Sequence, residues 1–280
     1  MSGLVVDVLG IGVWGPGLQG WAAGRPVLAG AEPYVPGPAP PPPPAILPPT
    51  ERRRAGPVVR LALAAASEAA AASGLPPGEL RCVFGSSNGD GVVVGGILQA
   101  LADSNGERVV SPTAFHNSVH NAAAGYWSIA NASAEPATCL GCHDFTWAAS
   151  LLKAAVDVAA DGRAVLLVCY DHPLPPPLDA LRPTCAPFGA GLVLAAPGRA
   201  GRGRAPALAR LGLRWFSGPG SNGAPPQNTP QNMPQNPALH PLFHGNASAR
   251  ALPLLEHLAQ GGGRHALAYL DGRLEVEVIP

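Results

Sequence analysis

The residues able to do chemistry concentrate between Ser111 and Gly162. Cys139-Leu140-Gly141-Cys142-His143 places two thiols and an imidazole at the C-x-x-C-H spacing of covalent haem attachment. With further ligands the same residues could hold zinc, but no second C-x-x-C pair completes such a set. Haem is attached in this way outside the cytoplasm, whereas the apolar N-terminal run has no positive charge before it and does not read as an export signal. The run also falls on an expected strand and turn, a context that favours small buried thiols. Cys142, followed by His143 just before an apolar helix, could alternatively serve as a nucleophile in acyl transfer or thioester hydrolysis. His116 and His120 have a spacing that binds metal when both are helical, but Pro112 and its polar neighbours place His116 in a loop. Gly85, Gly89 and Gly91 form a glycine-rich exit from a strand, yet they match neither G-x-G-x-x-G nor a P-loop, and a close turn is expected there.

The elements positioning these residues can be read from periodicity. A loop, a helix near 120–131, a short strand near 136–140 and a turn lead to a second helix beginning at Phe145. Trp147, Leu151, Leu152, Ala155 and Val158 give that helix one buried face, with Asp144 at the N-cap position and Gly162 at C′. A strand, a tight turn and a buried helix are where many enzymes set a nucleophile, because the helix start stabilises an anion. Here that place holds Phe145. Further strands are expected at 4–14, 81–86, 164–170, 188–196 and 209–216, and helices at 57–73 and 92–102. Residues 31–50 are proline-rich and read as an extended surface loop, and 217–238, with its Pro-Gln-Asn repeats, as a disordered linker. A helix at 248–260 and a hairpin at 265–278 turning at Asp271-Gly272 follow, a small α+β tail that could add an edge to the sheet.

Ser111-Pro112, Asn121, Ala124-Gly125 and Ile129, followed by the strand, turn and helix ending at Asp161-Gly162, resemble the N-terminal half of a β-ketoacyl synthase of the thiolase fold. The resemblance runs to Phe216, about three quarters of the chain. It implies an α/β fold, a half-thiolase domain with a mixed sheet between helices over 1–216, then the linker and the tail at 239–280. In such enzymes the acyl-carrying cysteine opens the helix at a fixed distance before its closing glycine; that distance leads to Phe145, which cannot form a thioester. The family's two histidines arrive on motifs resembling H-G-T-G-T and K-S-x-x-G-H. His244-Gly245-Asn246 is the only approach to the first, and the sole lysine, Lys153, does not begin the second. The resemblance therefore implies a noncatalytic partner subunit of the chain length factor type, known from aryl-polyene and related fatty-acid or polyketide pathways. Its partner would be a catalytic ketosynthase, with an acyl carrier protein as a further partner. Thr113, Ala114, Phe115, His116, Asn117 and Trp147 would lie at the interface or acyl tunnel, and Asn121, Gly125 and Asp144 would be structural. The alternatives are an acyl-transferring or thioester-hydrolysing enzyme using Cys142, and a haem or zinc module through Cys139, Cys142 and His143.

Composition agrees with a soluble core-forming chain. Of 280 residues, 47% are hydrophobic and 13% charged, enough for one large domain or two small ones. The formal net charge is zero, and apart from Arg52-Arg53-Arg54 no basic patch advertises a nucleic-acid partner. No apolar run approaches the roughly 20 residues of a membrane span. Five cysteines in a long chain do not read as a disulfide framework, and a cytoplasmic location with no cofactor is expected.

Overall fold

The computed structural model describes residues 3–103, 109–198, 206–217 and 233–279. In chain order its elements are β1 (Leu4–Gly15), β2 (Leu18–Gln19), α1 (Trp21–Leu28), α2 (Pro49–Arg54), α3 (Pro57–Ser73), β3 (Arg81–Gly85), α4 (Gly91–Asp103), α5 (Pro112–Ser118) and α6 (Ala122–Asn131). There follow β4 (Ala137–Leu140), α7 (Thr146–Asp161), β5 (Val165–Asp171), α8 (Leu178–Leu181), β6 (Phe188–Ala195), β7 (Ala209–Phe216), α9 (His240–Gly245), α10 (Leu252–Gln260), β8 (Gly263–Tyr269) and β9 (Gly272–Ile279).

The strands form one mixed sheet in the order β4-β3-β5-β6-β1-β7-β9-β8, with β2 paired to β1. β3 runs parallel to β4 and β5, and the remaining pairings are antiparallel. Helices cover both faces, as the mixed α/β expectation requires. α3 and α6 enclose one core with Leu166, Val168 and Tyr170 of β5. On the other face α7 and α10 enclose the second core with Leu167, Leu192, Leu194 and Val276. The C-terminal hairpin pairs with β7, so residues on both sides of the expected linker build the same sheet. Most of that linker, including Pro226 and Pro230, lies outside the described residues.

β1 is central because of its irregularity. A bulge between Val8 and Gly10 inserts Leu9, so Val6 and Val8 face the α7 side together with Ile11 and Val13. Leu9 turns to the α3 side, where Gly12 stands opposite Gly191. A Cβ on Gly12 would stand 2.2 Å from the Ala65 carbonyl oxygen, and one on Gly191 2.6 Å from it. The alanine-rich α3 thus lies directly on bare backbone.

Several expectations change. Pro49 begins a short helix, α2, inside the expected loop, with Pro at its tolerated first position. Residues 112–118 are helical rather than loop, because Ser111 accepts the Ala114 amide as N-cap and Pro112 pre-sets the first turn. α7 begins at Thr146, preceded by a 3-10 turn over His143–Phe145. Asp144 is therefore not the N-cap: Phe145 is, with no side-chain bond, and the Asp144 carboxylate turns to Arg182 instead. The expected helix at 248–260 is a 3-10 turn, Ser248–Ala251, running into α10. The hairpin turns at Leu270-Asp271, one residue early, with Leu270 at φ 52°.

Candidate functional site

The parallel strands β3, β4 and β5 end together, and the candidate site lies beyond their carboxyl ends, the usual place for sites in such sheets. Asp171, the last residue of β5, is fully buried and organises this end. Its Oδ1 accepts from Ser86 Oγ at 3.0 Å and from the Ser87 and Asn88 amides at 2.8 and 3.0 Å, and its Oδ2 accepts from Ser248 Oγ at 2.6 Å. Asn246 donates to the carbonyls of Asp171 and Ala186. The glycine-rich exit of β3 is therefore a turn wrapped on a carboxylate, and the His244-Gly245-Asn246 segment is a brace to the sheet. Burial pushes the Asp171 carboxyl up, against these four donors.

The helix start beside it holds Phe145, with Thr146 as the first residue of α7. Phe145 is half-buried and meets Tyr269 edge to face at 6.5 Å, and Tyr269 in turn meets Trp215. His143 is exposed, at φ 53°. Arg182 spans the turn, donating to Asp144 Oδ1 at 2.7 Å and Ser87 Oγ at 2.8 Å, with its Nη1 2.9 Å from His143 Nε2. Burial raises the Asp144 carboxyl, but Arg182 outweighs it and holds the group below its ordinary value.

The thiols are dispersed. Cys139 lies on β4 opposite Phe84, and the Cys142 amide donates to Thr146 Oγ1 at 3.0 Å. Burial pushes Cys82 and Cys169 up to about 12, and Cys139 and Cys185 upward as well, away from the thiolate a nucleophile needs. Among the described residues no three His, Cys, Asp or Glu side chains converge as metal ligands. His116 meets the Tyr126 ring edge to face at 6.1 Å, while His120 Nε2 lies 2.9 Å from the Leu140 carbonyl oxygen, so the two serve different neighbours.

The expected interface residues divide by burial. Thr113, Phe115 and His116 are exposed, and Ala114 is half-buried. Asn117 is buried, donating to the Arg54 carbonyl and accepting from Tyr126 Oη. Trp147 is wholly enclosed in the core below α7. Asn121 is an exposed N-cap whose side chain makes no capping bond, and a Cβ at Gly125 would meet nothing within 4 Å.

Sequence reasoning missed the largest feature of this region. α4, Gly-Val-Val-Val-Gly-Gly-Ile-Leu-Gln-Ala-Leu-Ala-Asp, is almost wholly apolar, yet only Gly91 is buried. α5 packs beside it. Val92, Leu98, Val109, Phe115 and Val119 give this part of the molecule a concentration of exposed large hydrophobic side chains. The signal was the missing polar face: a helix apolar all round needs covering on every side. β4 nearby ends the sheet. The roles of Arg182 and Asp171 had no local sequence signal, since their partners are distant in the chain. No described helix is long and apolar enough to cross a membrane.

Residues 29–218 match the family model of the β-ketoacyl synthase N-terminal domain. Among solved structures, the chain is similar to one from the ketosynthase (ApeO) in complex with its chain length factor (ApeC) from Xenorhabdus doucetiae. The TM-score is 0.69 at 18% identity, over 98% of this chain and 99% of that one. It is also similar to a chain of the ishigamide ketosynthase/chain length factor (TM-score 0.68, 15% identity, 98% and 99% covered). A third is a chain of AntDE:AntF, a type II polyketide synthase acyl carrier protein in complex with its ketosynthase (TM-score 0.74, 14% identity, 100% and 99% covered). At these identities the likeness is one of fold. No curated protein matches.

Proposed function

The chain belongs to the β-ketoacyl synthase N-terminal-domain family, and from that premise we propose that it is a noncatalytic chain length factor subunit pairing with a catalytic ketosynthase in cytoplasmic fatty-acid or polyketide synthesis of the aryl-polyene type. The observation that carries the pairing is α4, an apolar helix on which Gly91 alone is buried and Val92 and Leu98 are exposed, beside the exposed Phe115 of α5. Such a surface is costly in water unless another protein covers it. The partner also presents its carrier-protein-bound acyl chain, and Ala114, Phe115 and His116 stand against the growing end. A packed wall there sets the length sterically, since each further methylene forced against it costs energy. Phe145 supports the noncatalytic half of the reading: it occupies the helix start, meets Tyr269 and offers no group that can carry an acyl chain. The domain reading that accompanies this is a ketosynthase-like body over 1–216 with the tail at 239–280 in place of a second thiolase half.

Co-expression with candidate ketosynthases, size-exclusion of the complex and exposure to a labelled acyl thioester test this. The expected result is a stable heterodimer labelled on the partner alone, with products lengthened by Phe115→Ala. Label on this chain that disappears in Cys142→Ala, or condensation by the isolated chain, overturns the noncatalytic reading; so does condensation by isolated Phe145→Cys, which lacks the histidine donors that decarboxylation needs.

A further inference from the structure

The proline-rich segment that leads to α2 walls off a cavity against α3. Pro42, Pro43, Pro44 and Ile46 line one side, Leu63 and Ala64 of α3 the other, and Trp14 near the end of β1 lies between them. The volume is about 310 Å³, at the lower end of the range of about 300–1,000 Å³ that small-molecule pockets occupy. The segment is tied down on both sides of the cavity. Gln19 Nε2 donates to the Pro38 carbonyl at 2.9 Å, Arg52 Nη2 donates to the Ala45 and Leu47 carbonyls at 2.9 Å each, and Leu47 is buried in the α3 core. Consecutive prolines stiffen what lies between, so the wall keeps its shape without a ligand. Two charged groups also line the cavity. Arg60 and Glu68 stand two turns apart on α3, about 12 Å along the axis at about 1.5 Å per residue. Glu68 is committed: its two oxygens accept the Val13 and Trp21 amides and tie α3 to β1 and α1. Arg60 is not. Its Nε donates to the Ala55 carbonyl at 2.8 Å, which fixes the guanidinium plane, and among the described residues the guanidinium forms no ion pair and no other hydrogen bond. Arg60 is only half-buried, and its Nη pair is left uncommitted.

We infer that this cavity binds a small apolar monocarboxylic acid, with its carboxylate on Arg60 and its body packed against Trp14, Leu63 and the Pro42–Pro44 wall. The Nη pair of a guanidinium held at its Nε presents two N–H groups to the two oxygens of a carboxylate. One unpaired cation among largely apolar walls neutralises one negative charge, whereas a dianion would keep a charge without a partner. The indole face and the pyrrolidine rings offer apolar surface to a ring or a short chain. Glu68, whose oxygens already accept two amides, repels an anion from the other end and so sets the orientation. The inference does not depend on the subunit reading, since it rests on α3 and the proline segment and not on α4, α5 or Phe145.

The test is calorimetric titration of the full chain with phenylacetate, phenylbutyrate and octanoate, each compared with its neutral primary amide. Saturable binding of at least one acid, roughly tenfold or more tighter than its amide and weakened by a similar factor in Arg60→Met, supports the site. Ala64→Leu is the second variant: it keeps Arg60 and suits a helix, but it places a larger side chain in the cavity and should weaken the same acid roughly tenfold or more. Circular dichroism confirms that both variants fold. No saturable binding of any of the three acids, an acid bound no tighter than its amide, or binding unchanged in a folded Arg60→Met or a folded Ala64→Leu chain overturns the inference.

Discussion

Replacing Phe115 by alanine separates association from folding, because this side chain is two-thirds uncovered. A phenylalanine buries about 150–250 Å² when enclosed, and 66% of Phe115 remains exposed. A covering partner therefore removes about 100–165 Å² from water, a gross gain of about 2.5–4 kcal/mol at about 25 cal/mol per Å². Ordering of the ring and incomplete coverage reduce this to about 1–2 kcal/mol, or roughly 5- to 30-fold in Kd. The isolated Phe115→Ala chain should keep its stability within about 0.5 kcal/mol, as surface substitutions do. Leu270 provides the control: it is 59% exposed but sits on the β8–β9 turn, at the far end of the sheet from β4. Calorimetric or surface-based titration against the proposed ketosynthase partner measures Kd, and thermal melting of the free chain measures stability. The reasoning fails if Phe115→Ala binds as tightly as the parent, if Leu270→Asn weakens binding equally, or if Phe115→Ala melts well below the parent and so proves to be part of the core.

Three further perturbations probe the scaffold. His265 is fully enclosed, and burial with His257 nearby pushes it down to about 3 from 6.5. The unfolded chain thus takes up the proton first, so stability is full above about pH 6.5 and falls, by up to about 1.4 kcal/mol per unit, as pH drops toward 3. Melting curves should show that slope reduced in His265→Leu, and equal slopes would refute it. Asp171→Ala strips the acceptor from two hydroxyls and two amides and should cost about 3–5 kcal/mol in denaturant unfolding; a loss below about 1 kcal/mol would show the network to be dispensable. Gly12→Ala drives a methyl group against the Ala65 carbonyl and should cost about 2–4 kcal/mol, whereas Gly125→Ala, with open space in a helix interior, should gain about 0.5–1 kcal/mol. The reverse order in urea midpoints would contradict the packing of α3 on β1.

What could be foreseen was what local pattern encodes. Pro57 and Gly74 bracket α3, and the run Val165 to Cys169 of β5 lies fully buried between two helix layers as an unbroken apolar strand should. The β1 bulge was not foreseeable: the sequence 4–15 is apolar on both parities, and only pairing with Leu194 and Val193 reveals that Leu9 is an extra residue. Asp144 matched the N-cap pattern, but Arg182 offered its carboxylate a stronger partner than a helix amide. Pro112 and its polar neighbours suggest a loop at His116, but at the first helical position proline starts a helix. The Asp171 brace joins residues 75 and 77 positions apart, beyond the reach of any spacing rule.

The residue that precedes α7 and the residues that hold the helix in the fold are different positions. α7 is anchored by Trp147, Leu151, Ala154, Ala155 and Val158, all buried against the sheet, and by the bare backbone of Gly85, where a Cβ would stand 2.3 Å from Ser150 Oγ. Phe145 precedes that set and is only half enclosed. Exchanging the residue at the helix start therefore leaves the core contacts of α7 in place. α4 is the converse case. Its valines and leucines belong to neither buried core, and Val92 and Leu98 are exposed. On the reading proposed above, the face beside Phe115 is where a partner would cover them.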